Sequence, residues 1–168
     1  MFGFFKKKKE EKTQSNSELK LVAIADGKVK PLSEVPDPVF AEKMAGDGVA
    51  IEITSDTIVA PADGELSLVF NTKHALAMTL ENGVELLVHV GLETVSLNGE
   101  GFEQLAEAGQ KIKAGTPILK VDREFIKSKG LPLITPVLIT NVDAVKSITA
   151  KEGIDATAGT TTILEYTI

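Results

Sequence analysis

Two histidines, His74 and His89, are the only imidazoles in this chain, and it contains no cysteine. Thiol nucleophiles, disulfides and thiolate zinc sites are therefore excluded. The histidines flank two apolar runs, residues 75–80 and 84–88, that are separated by Glu81-Asn82-Gly83. Asn-Gly between two such runs is a strong hairpin signal and predicts a two-residue type I′ turn. With Asn82 and Gly83 as the loop, Glu81 pairs with Val84, Leu76 with His89 and His74 with Gly91. Side chains alternate with period two, so Thr72, His74 and Leu76 share a face with Leu87, His89 and Gly91. The imidazoles then become diagonal neighbours, with Cβ atoms roughly 7–8 Å apart or somewhat less. At that separation they can converge on one small anion or one metal ion. An odd-length loop would break the alignment. Gly91 is expected to leave the sheet surface open opposite His74, and the Thr72 hydroxyl can fix an imidazole tautomer.

Three chemistries compete for such a pair. A phosphoryl carrier needs a neutral imidazole nitrogen as nucleophile and a second donor to hold phosphoryl oxygens during in-line transfer. A zinc hydrolase on a β-sandwich needs about three protein ligands and an open position. Two histidines without cysteine leave the third ligand to a carboxylate, and neither His-Glu-x-x-His nor His-x-His is present. A swinging-arm carrier of the biotin or lipoate type needs a lysine at a tight hairpin tip, where this chain has Asn82-Gly83. No cofactor is called for. No metal is required either, although His74 and His89 could take up zinc incidentally.

The elements that must position these residues are strands. From about Ser17 onward, short apolar runs are broken every 8–12 residues by Gly, Pro, Asn and Asp. That rhythm predicts an all-β antiparallel sandwich or barrel. Asp122 followed by Glu124 and closed by Gly130 predicts about two turns of helix, and residues 103–108 a further short helical turn. Ala-Asp-Gly occurs at 25–27 and 62–64, and Ala-Gly-Thr at 114–116 and 158–160. A duplicated β-unit would explain both pairs.

With 168 residues the chain is sized for one domain, and no apolar run approaches the roughly 20 residues of a spanning helix. The formal net charge of −6 argues against a nucleic-acid binder and suits a basic protein partner. At the N-terminus Phe2, Phe4 and Phe5 precede Lys6 to Lys9, the reverse of an export signal. Residues 1–17 read as a charged, flexible tail, or as a weak tether to an anionic membrane surface. Residues 18–168 then form the single folded domain.

The longest motif is Gly83-Val-Glu-Leu-Leu-Val-His89-Val-Gly-Leu-Glu-Thr94-Val. It resembles the glucose-family IIA proteins of the bacterial phosphoenolpyruvate-dependent sugar phosphotransferase system. The likeness extends over about residues 20–165. It takes in residues 35–43, Gly46-Asp-Gly-Val-Ala-Ile51, Ala60-Pro-Ala-Asp-Gly64, Thr72-Lys-His74-Ala, Gly99-Glu-Gly-Phe102 and Thr135-Pro-Val. The resemblance implies a duplicated antiparallel β-sandwich. It implies that His89 is the phosphoacceptor, that His74 assists transfer, and that Thr72 orients His74. It implies HPr as phosphoryl donor and a cysteine on the IIB domain of a sugar permease as acceptor. Phe40, Met44, Ala45, Phe70 and Val95 fall where the family places an apolar docking rim, and Asp37 and Glu93 where it places acids that meet basic partners. The expected setting is cytoplasmic, at most peripheral to the inner membrane face. The chain is expected to be free-standing rather than fused to a permease, with a regulatory binding role as an alternative or additional use of the same face.

Overall fold

Gly, Asp and Pro punctuate the chain into short strands, and every strand pair is antiparallel. The computed structural model describes residues 19–168. The chain begins with β1 (Lys20–Val22), β2 (Gly27–Lys30) and β3 (Asp47–Ile53). A contiguous unit follows: β4 (Thr57–Val59), β5 (Gly64–Val69), β6 (Ala75–Thr79), β7 (Glu85–His89), β8 (Phe102–Gln104), β9 (Lys111–Ile112) and β10 (Pro117–Val121). It ends with β11 (Ile134–Ile139), β12 (Ser147–Ala150), β13 (Asp155–Ala156) and β14 (Thr162–Thr167).

The large sheet runs β13-β2-β3-β11-β7-β6-β5-β9, and two small sheets run β1-β14-β12 and β4-β10-β8. These orders form a palindrome about the β11–β7 pair. Strands β4 to β10 repeat β1, β2, β3, β11, β12, β13 and β14 in order, so one unit is inserted into the other between β3 and β11. The backbone shows the same pseudo-symmetry. Val22 N–H donates to Pro61 O at 2.8 Å and Val59 N–H to Ile24 O at 2.7 Å. Asp26 Oδ1 accepts from Ala158 N–H and Asp63 Oδ1 from Ala114 N–H, each at 2.8 Å. The two Ala-Gly-Thr loops meet where a Cβ on Gly159 would lie 3.2 Å from the Gly115 Cα. The repeats in the sequence are thus a structural duplication. The large sheet ends at β13 and β9, so the architecture is a sandwich rather than a closed barrel.

Alternation along the central strands sorts side chains into two cores. Ile51, Leu76, Met78, Leu86, Val88 and Val137 face the main core. On the opposite face, Ala50 and Leu138 join Leu32, Val35, Phe40, Leu92 and Ile134 in a smaller cluster, with Leu87 and Ala45 packed against it. Strand β11 is buried on both faces as a result. Burying each large side chain of the small cluster contributes about 1.5–3 kcal/mol, enough to make it a firm floor beneath Leu87 and its neighbour two residues on, His89.

Three local expectations are corrected. The β6–β7 hairpin has a three-residue loop, Glu81-Asn82-Gly83, not a two-residue one. Leu80 N–H donates to Val84 O at 2.9 Å, and Gly83 N–H to Leu80 O at 2.9 Å. Gly83 takes the left-handed position (φ 89°) that this loop type requires. The extra residue shifts the register by one: Ala75 lies opposite His89, Leu76 opposite Val88 and Thr79 opposite Glu85. A one-residue shift exchanges faces, so Leu76 faces the main core and not the His89 side. Residues 103–108 begin as strand, because Glu103 and Gln104 pair with Lys120 and Leu119. Cross-strand pairing there overrides local helical preference. The helix after Asp122 does form, over Arg123–Ser128, with Asp122 Oδ1 accepting from Phe125 N–H at 3.1 Å.

The helices are α1 (Pro38–Ala41) and α2 (Arg123–Ser128). Helix α1 is capped by Asp37, whose side chain accepts from Val39 N–H, with Pro38 in its first turn. No helix among the described residues is long and apolar enough to cross a membrane. The suggested tail, with Phe2, Phe4, Phe5 and Lys6 to Lys9, lies outside the described residues.

Candidate functional site

With the observed register, strict alternation would put His74 on the face opposite His89. The β5–β6 turn prevents this. Strand β6 starts only at Ala75, and Lys73 adopts a left-handed conformation (φ 56°), with its N–H donating to Phe70 O at 2.7 Å. Freed from the pleat, the His74 ring meets the His89 ring edge-on at 4.9 Å between centroids and an interplanar angle of 81°. The two imidazoles therefore converge, by a turn and not by diagonal pairing.

Each ring is held by its Nδ1. His74 Nδ1 is 2.7 Å from Thr72 Oγ1. His89 Nδ1 is 2.8 Å from the carbonyl oxygen of Gly91. A carbonyl can only accept, so the His89 Nδ1 carries the hydrogen, and Nε2 of the neutral ring keeps its lone pair. Gly91 was expected to leave open space. Instead its backbone is left-handed (φ 70°), and a Cβ there would lie 2.6 Å from Pro132 O and 3.0 Å from Thr94 Cγ2. It lies opposite neither imidazole in the ladder; His74 O instead accepts from Val90 N–H at 2.7 Å. Glycine is required at 91 so that the chain can turn its carbonyl back towards His89.

Aromatic rings wall the pair. Phe40 packs on His89 at 5.1 Å between centroids, and Phe70 meets His74 edge-on at 5.4 Å. Burial pushes the His74 pKa below its ordinary 6.5, and neighbouring His89 pushes the same way. Burial also lowers the His89 pKa, against opposing contributions from the Gly91 carbonyl and the Asp37 carboxylate. Both rings are consequently neutral at neutral pH. Asp37 is held in place by capping α1, its Oδ1 accepting from Val39 N–H at 3.0 Å.

Among the described residues no group of three or more His, Cys, Asp or Glu converges as a metal site, which leaves the hydrolase alternative without a ligand set. A cavity of about 690 Å³ opens between the hairpin tip and β9, near Leu80, Asn82, Lys111 and Tyr166, and neither histidine lines it. His74 is buried and His89 half-buried, and Phe40 of the small apolar cluster packs on the His89 ring.

Residues 19–145 match the family model for the phosphoenolpyruvate-dependent sugar phosphotransferase system, EIIA 1. The chain belongs to that family. It is 49% identical over 148 residues to the glucose-specific EIIA component of Bacillus anthracis, covering 88% of this chain and 90% of that protein. It is 52% identical over 138 residues to the glucose-specific EIIBCA component of Corynebacterium glutamicum, covering 82% of this chain and 20% of that one. Its fold matches the solved glucose permease IIA from Mycoplasma capricolum with a TM-score of 0.81 and 38% identity, over 87% of this chain and 94% of the other. The chain is accordingly a phosphotransferase component of a sugar-transport system.

In this EIIA chain the expected docking residues separate into two groups. Met44, Phe70 and Val95 are exposed, Met44 most of all at 71%. Phe40 is buried and forms the wall of His89, and Ala45 packs against the small cluster. Glu93 is exposed in a left-handed conformation, whereas Asp37 is partly buried. Next to these in the chain, two more residues that the sequence reading did not name are exposed and apolar: Val39, beside Phe40 on α1, and Leu68 on β5, two residues before Phe70. The period of two from Phe70 could have flagged Leu68.

Proposed function

We propose that this EIIA chain is a cytoplasmic phosphoryl carrier in which His89 is the acceptor. The observation that carries the reading is the Nδ1–H···O=C contact to Gly91, which supports Nε2 as the nucleophilic nitrogen. Nε2 attacks the phosphorus of a phosphohistidine on HPr. The donor P–N bond breaks as the new P–N bond forms, and the leaving imidazole takes up a proton. A thiolate on a IIB domain then attacks the same phosphorus, and His89 leaves. The fused EIIBCA relatives support a sugar permease as that partner. Thr72 donates to His74 Nδ1 in this scheme, so that His74 presents Nε2–H to a phosphoryl oxygen. Exposed Val39, Met44, Leu68, Phe70 and Val95 supply the apolar docking rim, with Glu93 and Asp37 meeting basic partner residues.

Incubation with phosphoenolpyruvate, enzyme I and HPr, followed by mass spectrometry, tests this. One phosphoryl group should appear on His89, and His89→Ala should abolish it. His74→Gln should still accept phosphate but pass it to IIB about 10²–10³-fold more slowly, the scale for removing one donor from a charge-stabilising site. Phosphate on His74, or undiminished transfer by His74→Gln, would overturn these roles.

A further inference from the structure

The buried polar side chains among the described residues are His74, Thr94 and Thr135. The two threonines lie behind His89, where neither was assigned a task. Thr94 Oγ1–H donates to Val90 O at 2.6 Å. Thr135 Oγ1 accepts from Gly91 N–H at 3.2 Å and donates its own hydrogen to Leu133 O at 2.9 Å. Val90 C=O and Gly91 N–H are the two ends of one peptide group, which two buried hydroxyls therefore grip at both ends. In the following peptide group, Leu92 N–H donates to Pro132 O at 3.2 Å while Gly91 C=O accepts from His89 Nδ1–H.

The local sequence explains why side chains do this work. The β7–β11 ladder runs to Val88 opposite Val137. Pro136 is next in register to His89 and has no N–H to donate. Past that point no strand partner is available for Gly91 N–H, and the Thr135 hydroxyl takes it. Glycine populates positive and negative φ about equally readily, so Gly91 by itself does not aim its carbonyl. A neutral imidazole without a fixed partner divides between its two tautomers, and only the form with Nδ1–H has its lone pair on Nε2.

We propose that Thr135 and Thr94 are positioning residues for the phosphoacceptor: by clamping the Val90–Gly91 peptide they aim the Gly91 carbonyl at Nδ1 and hold His89 with Nε2 unprotonated. This rests on the reading of His89 as the acceptor. The threonines touch neither the phosphoryl group nor Nε2, and act through Gly91 alone.

The test uses the ¹⁵N-labelled, unphosphorylated protein at a pH where both imidazoles are neutral. A long-range ¹H–¹⁵N spectrum reads the protonation of each ring nitrogen, and His89→Ala assigns the signals. The native protein should show His89 as the Nδ1–H tautomer. Thr135→Val keeps the side-chain volume and removes the hydroxyl, so His89 should become a tautomer mixture. Thr135→Ser should restore the single tautomer. Phosphoryl acceptance from HPr should fall about tenfold in Thr135→Val, equivalent to about 1.4 kcal/mol, and recover in Thr135→Ser. Thr94→Val releases the other end of the peptide and should shift the tautomer in the same direction; it carries the test if Thr135→Val does not fold. A single Nδ1–H tautomer retained in the valine variants would overturn the proposal. A tautomer that responds in a protein that takes no phosphate on His89 would uphold the positioning and refute the carrier reading.

Discussion

Replacing Gly91 by alanine perturbs the site at one atom, and the structure sets the size of the effect. Gly91 sits at φ 70°, where an L-residue costs about 1–2 kcal/mol. The new Cβ would lie 2.6 Å from Pro132 O, a backbone atom that cannot rotate away, and 3.0 Å from Thr94 Cγ2. Relieving such overpacking costs typically about 1–3 kcal/mol more. The sum is about 2–5 kcal/mol, which for a chain of this size lowers Tm by roughly 4–20 °C. Any relaxation must move either the Gly91 peptide or the segment carrying Pro132, which receives the Leu92 N–H. Both routes weaken the His89 Nδ1 contact, so phosphoryl acceptance should fall along with stability. Gly83→Ala is the control. Its φ is 89°, but nothing lies within 4 Å of the added Cβ. It should therefore cost only the conformational part, about 1–2 kcal/mol, and leave acceptance unchanged. Urea unfolding of both variants beside the native protein, with phosphorylation rates on the same samples, decides the matter. A Gly91→Ala loss below about 0.5 kcal/mol, the range of ordinary surface changes, would refute the argument that this turn is sterically fixed.

Three further outcomes follow from the same geometry. Both histidines have folded pKa values below the ordinary 6.5, so the unfolded chain binds more protons in the window just below 6.5. Stability should be fully present above that window and decline as pH falls through it, and unfolding midpoints in His74→Gln and His89→Ala should lose part of that slope. Asp37→Asn keeps the cap on α1 while removing the charge that favours protonated His89; an NMR titration should show the His89 pKa lowered further, and an unchanged value would show that Asp37 does not act on the ring. Asp26→Ala and Asp63→Ala break equivalent bonds to Ala158 and Ala114, so each should cost about 0.5–1.5 kcal/mol; a large inequality between their urea midpoints would argue that the two repeats are not mechanically alike.

The sequence by itself determined the classes of residue and their neighbourhoods. With two histidines and no cysteine, the nucleophile had few identities to take. The breaker rhythm specified strands, and the paired Ala-Asp-Gly and Ala-Gly-Thr motifs marked the duplication, because an Asp that caps a neighbouring loop leaves the same local trace in each copy. The helix at Arg123–Ser128 was legible because its Asp122 cap and Gly130 stop are local. Geometry that depends on counting was another matter. Glu81-Asn82-Gly83 reads equally well as two or three loop residues, and one residue of difference reverses every face of a strand whose period is two. The right neighbours, His74 and His89, were inferred through the wrong register. Only the tertiary structure decided that the Lys73 turn swings His74 onto its partner, that Phe40 is buried as a wall against His89, and that the Gly91 carbonyl meets His89 Nδ1. Those outcomes depend on contacts between residues far apart in the chain, such as Gly91 with Pro132 and Thr135 or Phe40 with His89, whose energies appear only when distant strands are brought into register.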